Sequence, residues 1–461
     1  MFLGLGLMLP LGGCLLTDKP EPGLTIPQAY DGASKNPAVA EAALPPLDWW
    51  RGFRSRELTE LIEEAREANL DIAAAVARIV QADAQARIAG SALLPVVDLN
   101  GRATRSHAAE TNSKSVSATM SASYEIDFWG KNRSALRAAE QTAVASRYDR
   151  EVVGLTTMVA AANAYFQVLA AQDRLQVARE NIASASRVLN LIQQRLNAGT
   201  ASALDTAQQE SLLATQRAAV PQLQQTLTQN RNALALLIAR SPESVRIRGG
   251  SLRGITYPRV TPGLPSELLA QRPDIREAEA QLAAANANVE NARAQMLPSI
   301  AITGEGGFQS AVLKTLLRPE SALYNVSAGL TQPIFDGLRL QGNLDLQKGR
   351  QDELLQNYRR SVISGFVDVE NALDGIRQTA LRERLQRDVV VASQRAFDLS
   401  EQRLNQGTID QVTLQQTQQT LFQAQDVLAQ ARLAHVQAIV SLYQALGGGW
   451  LPKPLEATNA R

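Results

Sequence analysis

The sequence predicts a mostly helical protein with a smaller share of membrane β-structure, built from two copies of one unit. Residues 71–95 align without a gap on 274–298, with Asp71, Ile72, Ala75, Leu94 and Pro95 matching Asp274, Ile275, Ala278, Leu297 and Pro298. Further on, Arg-Leu-Asn-Ala-Gly-Thr at 195–200 returns as Arg-Leu-Asn-Gln-Gly-Thr at 403–408. A duplication this long is no short solenoid repeat and implies two halves of one pseudo-symmetric object. Residues 116–128 then alternate, with Val116, Ala118, Met120, Ala122, Tyr124, Ile126 and Phe128 on one face and Ser117, Thr119, Ser121, Ser123, Glu125 and Asp127 on the other. That is a period-two strand with one apolar and one wet face. Finally, helical patterns cover 130–197 and 338–405, and at 1.5 Å per residue each is about 100 Å long.

The N-terminus comes first. Residues 1–13 are a short apolar run that ends in Leu11-Gly12-Gly13-Cys14. Small residues before a cysteine look like a bacterial lipoprotein signal, so 1–13 is read as a signal segment and Cys14 as the lipidated residue. The basic residues that usually precede such a run are missing. Position 15 is Leu rather than Asp, which by likeness to bacterial lipoproteins favours the outer membrane. Cys14 is the single cysteine, so no intrachain disulfide forms. Residues 14–54 are read as an acylated tether, rich in Pro, Gly and polar residues up to 48.

The first repeat is placed at 55–250 and the second at 251–450, with a tail at 451–461. Each opens with one helix, about 55–92 and 265–296, stopped by Leu94-Pro95 and Leu297-Pro298. Each continues with a β-hairpin, at 96–128 and 299–334. Val97, Leu99 and Ala103 alternate with Asp98, Asn100, Arg102 and Thr104; Ile300 and Ile302 alternate with Ala301, Thr303 and Glu305; Tyr324, Val326, Ala328 and Leu330 alternate with Asn325, Ser327, Gly329 and Thr331. The long helices follow. Each ends at a Gly-Thr turn, where glycine suits a left-handed helix end, and a return helix comes back near 202–239 and 409–446. Pro221 is expected to kink the first return helix. Long helices of this kind pack in antiparallel pairs, as in a coiled coil or a tube.

Composition narrows the function. The formal charge is only +1, so no strong field argues for nucleic acid or acidic partners. No stretch of about 20 apolar residues follows the N-terminus, so no transmembrane helix is expected. His107 and His435 have no metal-type neighbours in sequence. No nucleophile triad or phosphate loop appears; the glycine runs at 304–307 and 447–449 read as strand and chain-end features. The chain is therefore not expected to be an enzyme, and no cofactor is expected beyond the lipid on Cys14.

Four strands cannot close a membrane barrel, since about eight is the practical minimum. An open edge in lipid leaves N–H and C=O groups unpaired at several kcal/mol each. Strands in a membrane therefore require an oligomer that shares one barrel. Two copies would supply about eight strands and three about twelve, and the Glu125/Asp127 face needs water, which the larger barrel holds better. A soluble hairpin on a helical scaffold is the alternative.

Four segments resemble one family. Tyr124-Glu125-Ile126-Asp127-Phe128-Trp129-Gly130-Lys131-Asn132-Arg133 is similar to the strand-to-helix segment of the outer-membrane factors, the TolC/OprM/NodT-like proteins of tripartite efflux systems. Gln271-Arg272-Pro273-Asp274-Ile275-Arg276, with Ala278-Glu279, is similar to their second-half helix start. Gln332-Pro333-Ile334-Phe335-Asp336-Gly337 and the terminal Tyr443-Gln444-Ala445-Leu446-Gly447-Gly448-Gly449-Trp450 fit as well. The resemblance spans about 14–452. It implies a homotrimer with a shared 12-stranded β-barrel in the outer membrane, continued by a 12-helix α-barrel in the periplasm. It implies a lipid-anchored exit duct for small molecules such as drugs, fed by a periplasmic adaptor and an inner-membrane pump. A type I protein-secretion channel and a pore-less periplasmic scaffold are the competing readings.

The resemblance also implies sites. The family commonly narrows the periplasmic tip with a leucine-like residue and an acidic residue four positions later on the last return helix. The matching positions are Val412 and Gln416, on one helix face. Gln416 departs from the family pattern, which puts cation selectivity of that ring in question; Asp410 and Asp205 lie near the same turns. Arg195, Leu196, Asn197, Gly199 and Thr200, with Arg403, Leu404, Asn405, Gly407 and Thr408, would form the adaptor-contacting tip.

Overall fold

A computed structural model describes residues 22–27, 29–30, 46–108, 111–260 and 263–450. The Cys14 assignment and the 451–461 tail lie outside them. The described residues hold α1 (Arg56–Ala68), α2 (Leu70–Ser91), β1 (Val96–Ala108), β2 (Thr111–Ile126), α3 (Lys131–Asn197) and α4 (Ala203–Leu237). They then hold α5 (Pro265–Gln271), α6 (Pro273–Ala294), β3 (Ser299–Ser310), β4 (Ala322–Thr331), α7 (Arg339–Asn405) and α8 (Gln411–Ala445). The duplication is therefore metrical: α3 and α7 are each 67 residues long, and α4 and α8 are each 35.

The opening helix of each repeat is split, against the single helix expected. Asn69 is extended, and its side chain accepts from the amides of Asp71 at 2.9 Å and Ile72 at 3.1 Å, so it caps a new helix. Pro273 does the same job by another route. It offers no N–H and pushes Arg272 into the extended region, so α5 ends there. Pro221, by contrast, sits inside an unbroken α4.

The chain forms two compact units and passes between them within α2, α3, α6 and α7. They cut across the sequence repeats, because each takes segments from both. One holds the described residues of Met1–Leu24, Val76–Tyr148 and Arg276–Ser361; the other holds those of Thr25–Ala75, Asp149–Ile275 and Val362–Arg461.

The first unit carries one antiparallel sheet in the order β1-β2-β3-β4. Register carries each face from strand to strand, because residues directly opposite share a face. Leu99 pairs with Met120, Met120 with Gly306 and Gly306 with Tyr324. On the other face Asn100 pairs with Thr119, and Thr303 with Ser327, whose hydroxyls lie 2.7 Å apart. Leu99, Met120, Tyr324, Val326 and Leu330 are all exposed within the chain. A Cβ on Gly307 would come within 2.3 Å of the Ala118 carbonyl oxygen, so β2 and β3 approach closely only because that residue is glycine.

The strand does not run to Phe128. It stops at Ile126, and Asp127 leaves the wet face to cap α3. Its carboxylate accepts from the amides of Asn132 at 2.8 Å and Arg133 at 2.9 Å and pairs with the Arg133 guanidinium. Burial raises the Asp127 pKa, but these hydrogen bonds outweigh it and hold the carboxyl below the ordinary range. Glu125 keeps its place on the wet face and pairs with Lys131 at 2.5 Å. Trp129 donates to the Pro298 carbonyl at 2.9 Å, which ties the start of α3 to the start of β3.

The second unit is built around aromatics. A 3-10 turn at Trp49–Phe53 buries Trp49, Trp50 and Phe53 completely or nearly so. These residues belong to the core rather than to the tether, and Tyr30, also inside the expected tether, is buried among Leu268, Val369 and Leu442. Trp49 stacks on Tyr443 at 4.9 Å, and Phe53 meets Phe166 at 5.1 Å. Each such side chain contributes about 2–3 kcal/mol by burial. α3 contains an 18-residue window apolar enough to cross a membrane, half of it buried, which amends the expectation that no such stretch exists. Val159, Tyr165, Phe166 and Leu169 of the same helix are packed into this aromatic core.

The terminal glycines have a steric reason. Gly447, Gly448 and Gly449 have φ of 80°, 62° and 76°. A Cβ on Gly447 would lie 2.3 Å from the Gln271 carbonyl oxygen, and one on Gly448 would lie 2.3 Å from Leu155. Gly447→Ala is expected to destabilise the protein by at least ~2 kcal/mol, from left-handed strain plus the backbone clash. Thermal unfolding of the purified variant checks this; an unchanged midpoint would show that the chain end does not support the core.

Candidate functional site

The two helix turns predicted to form the tip have the same construction. In the first, the Gly199 amide donates to the Leu196 carbonyl at 2.9 Å and the Thr200 amide to the Arg195 carbonyl at 2.8 Å. In the second, the Gly407 amide donates to Leu404 at 2.9 Å and the Thr408 amide to Arg403 at 3.0 Å. Both threonine hydroxyls add a bond to the same carbonyl, each at 3.1 Å. The glycines have φ of 75° and 72°, so a left-handed residue closes each helix. The recurrent Arg-Leu-Asn-x-Gly-Thr is a turn signature as well as a candidate contact surface.

The turns are held together. Arg195 donates to the Leu404 carbonyl at 2.6 Å. Leu404 is buried with Ile192, Leu213, Phe397, Leu414 and Phe422. It supports the turn from below and is not part of a contact surface; Arg195 and Leu196 are half-buried. Asn197, Gly199, Thr200, Arg403, Asn405, Gly407 and Thr408 are exposed.

The return helices begin with acidic and hydroxyl caps. Ser202 and Asp205 form a reciprocal capping box on α4, and Asp410 caps α8 by accepting from the Thr413 amide at 2.8 Å. The Asp410 pKa is lowered, chiefly by hydrogen bonds from the Thr413 side chain and amide. Both acids thus have local structural work. Val412 and Gln416 lie one turn apart on α8 and are exposed, with Val412 at 56%. The equivalent position on α4 is Leu204, exposed at 65%.

A buried glutamine seam was not legible in the sequence. The Gln209 amide donates to the Ala185 carbonyl and to the Gln418 Oε1, each at 3.1 Å. Gln418 donates to the Ser184 hydroxyl at 3.3 Å, and Gln411 to the Gln209 Oε1 at 3.4 Å. Gln209 and Gln418 are fully buried. The chain is glutamine-rich on exposed faces too, so composition could not single these out. Each of these buried amides depends on its neighbours, since an orphaned one costs about 1–3 kcal/mol.

His435 does have a carboxylate partner in space: its Nδ1 lies 2.8 Å from Glu383 Oε2, and Arg387 also pairs with that buried carboxylate. Among the described residues no group of three potential metal ligands occurs.

Comparison with known proteins places these features. The model of the family described as outer membrane efflux protein matches residues 61–240 and 264–448. The chain belongs to the outer membrane efflux protein family. It is 39% identical over 460 residues to the pyoverdine export outer membrane protein OpmQ of Pseudomonas putida, covering 97% of each chain. It is 30% identical to the cation efflux system protein CusC of Escherichia coli, covering 96% of this chain and 97% of that one. Among solved structures, the open state of the Neisseria gonorrhoeae MtrE outer membrane channel matches with a TM-score of 0.83 at 28% identity, over 94% of this chain and 97% of that one.

The family settles the class of the protein. It is an outer-membrane efflux channel, an exit duct of tripartite efflux, and its mixed helical and β architecture is that of such channels. Membership removes the reading of the strands as soluble hairpins on a pore-less scaffold.

Asp410 gives a direct test of the turn geometry. Its cap contributes fully above the unfolded aspartate pKa of about 3.9 and is lost as pH falls through the lowered folded value. In hydrogen exchange, the first turn of α8 is expected to lose protection across that acid range. Asp410→Ala is expected to lower it already at neutral pH. Equal protection in the two proteins at neutral pH would remove the cap from the account.

Proposed function

We propose that three copies of this chain close one twelve-stranded barrel and a helical tube, and that the assembly carries small molecules out of the cell from a periplasmic adaptor and an inner-membrane pump. The observation that carries the reading is a four-stranded sheet with an apolar outer face whose two edges, β1 and β4, are unpaired among the described residues. In lipid those edges must pair with other copies. Threefold particles of the detergent-solubilised protein would agree with this; monomers would oppose it. The relatives are named for export of pyoverdine and efflux of cations, and a small-molecule cargo follows from that company.

The gate is assigned to Val412 and Gln416, exposed on the first turns of α8. Asp410 and Asp205 act there by fixing the helix starts. A ring of neutral amides closes without the mutual repulsion of a carboxylate ring and lacks its cation preference. Val412→Ala combined with Gln416→Ala is expected to raise entry of large antibiotics, lowering the inhibitory concentration of vancomycin by about fourfold or more as the constriction widens. Unaltered sensitivity at equal protein abundance would move the gate elsewhere. The exposed residues of the two Gly-Thr turns, with Arg195, Leu196 and Leu404 supporting them, are the proposed adaptor contact.

Cys14 is proposed to carry the lipid anchor. Cys14→Ser is expected to abolish labelling by radioactive palmitate and to mislocalise much of the protein while leaving its helical spectrum intact. Unchanged membrane fractionation, with no label on the parent protein, would sink that assignment.

A further inference from the structure

The apolar face of the sheet carries two charges, and they are adjacent. Along β1 the face reads Val97, Leu99, Gly101, Ala103, Arg105 and His107; along β2 it reads Ile126, Tyr124, Ala122, Met120, Ala118, Val116, Lys114 and Asn112. On β3 and β4 it holds Ile300, Ile302, Gly304, Gly306, Phe308 and Ser310, then Ala322, Tyr324, Val326, Ala328 and Leu330. The register sets Arg105 directly opposite Lys114. Like charges directly opposite destabilise a strand pair. Both side chains are exposed, and among the described residues no carboxylate stands beside them on this face, where their neighbours are Ala103, Val116, His107 and Asn112. His107 is engaged with Asn112 at 2.9 Å.

Their height on the sheet is informative. The apolar run of β2 from Ile126 to Val116 is about 34 Å long at 3.4 Å per residue, or about 26 Å upright at the usual barrel tilt, which matches the ~25 Å apolar band of such barrels. Phe128, Trp129 and Phe335 mark the end of the sheet that joins the helices. Arg105 and Lys114 stand immediately past the other end of the band, at the depth of lipid headgroups. The β3–β4 connection at that same end exposes Val312, Leu313 and Leu317 beside Lys314 and Arg318, with Glu320 as its acid.

We propose that Arg105 and Lys114 form a docking site for a phosphate-bearing lipid of the outer leaflet. The phosphate sits between the two cations and relieves their repulsion, and the acyl chains lie along Ala103, Val116 and the apolar face below. The site rests on the sheet lying in the membrane. If that reading failed, the protein would not insert into vesicles at all, whereas failure of this proposal leaves insertion intact.

The test uses the full-length protein in detergent, stripped of lipid and titrated with diphosphoryl lipid A, with bound lipid counted by native mass spectrometry. The parent is expected to retain it. Arg105→Gln combined with Lys114→Gln is expected to weaken retention by about thirtyfold, from the attraction of two basic residues at a membrane surface. Lys114→Glu, which lets a carboxylate face Arg105, keeps the strand pair intact and is expected to bind as weakly; it stands in should the double variant not assemble. Fully dephosphorylated lipid A is expected to bind the parent no better than the variants. Equal retention by parent and variants, or by phosphorylated and dephosphorylated lipid, would overturn the proposal. Displacement of lipid A by an equal concentration of inorganic phosphate would also overturn it, because the site would then take a free anion.

Discussion

The unpaired edges of β1 and β4 are the constraint from which the rest of the molecule follows. A sheet of this width with an apolar outer face has a place in lipid, yet its outer N–H and C=O groups have none unless another strand pairs with them. The registers of β1 through β4 bring Leu99, Met120, Tyr324, Val326 and Leu330 to one face. A slip of one residue would turn Leu99, Met120 and Tyr324 to the wet side. Gly307 secures that register where β2 and β3 come closest, since a side chain there would collide with the β2 backbone.

The sequence duplication reaches the structure as equal helix lengths and as two turns with the same hydrogen bonds. Where the halves diverge, each divergence has a local physical cause. Asn69 breaks the opening helix in the first half, and Pro273 breaks it in the second. Ser202 with Asp205 starts one return helix, and Asp410 alone starts the other. The glutamine seam of Gln209, Gln411 and Gln418 joins the return helices through neutral hydrogen bonds. Such a seam is directional, so it fixes how the two return helices face each other while leaving no charge buried.

The compact units are not the repeats. Each unit draws on both halves of the sequence, so neither half has its own complete core. The aromatic cluster shows this most directly. Trp49 and Trp50 come from the segment just before the first repeat and Tyr443 from the end of the second, and Gly447 and Gly448 admit the backbone that brings them together.

The sequence by itself determined the two long helices, the period-two strands, the Gly-Thr turns and the family motifs, because these depend on local spacing and on backbone preferences of Gly and Pro. It also placed Val412 and Gln416 one turn apart, since helical periodicity alone decides that. Only the tertiary structure decided which residues are load and which are surface. Asp127 reads as a wet strand residue until the end of β2 turns it into a helix cap. Leu404 reads as part of a tip until packing buries it beneath the turn. Arg105 and Lys114 are nine residues apart in an unremarked polar stretch, and only cross-strand register sets them side by side on the apolar face. These outcomes depend on where a strand ends, how two strands align and which segments pack over a turn, and composition and periodicity carry no record of that.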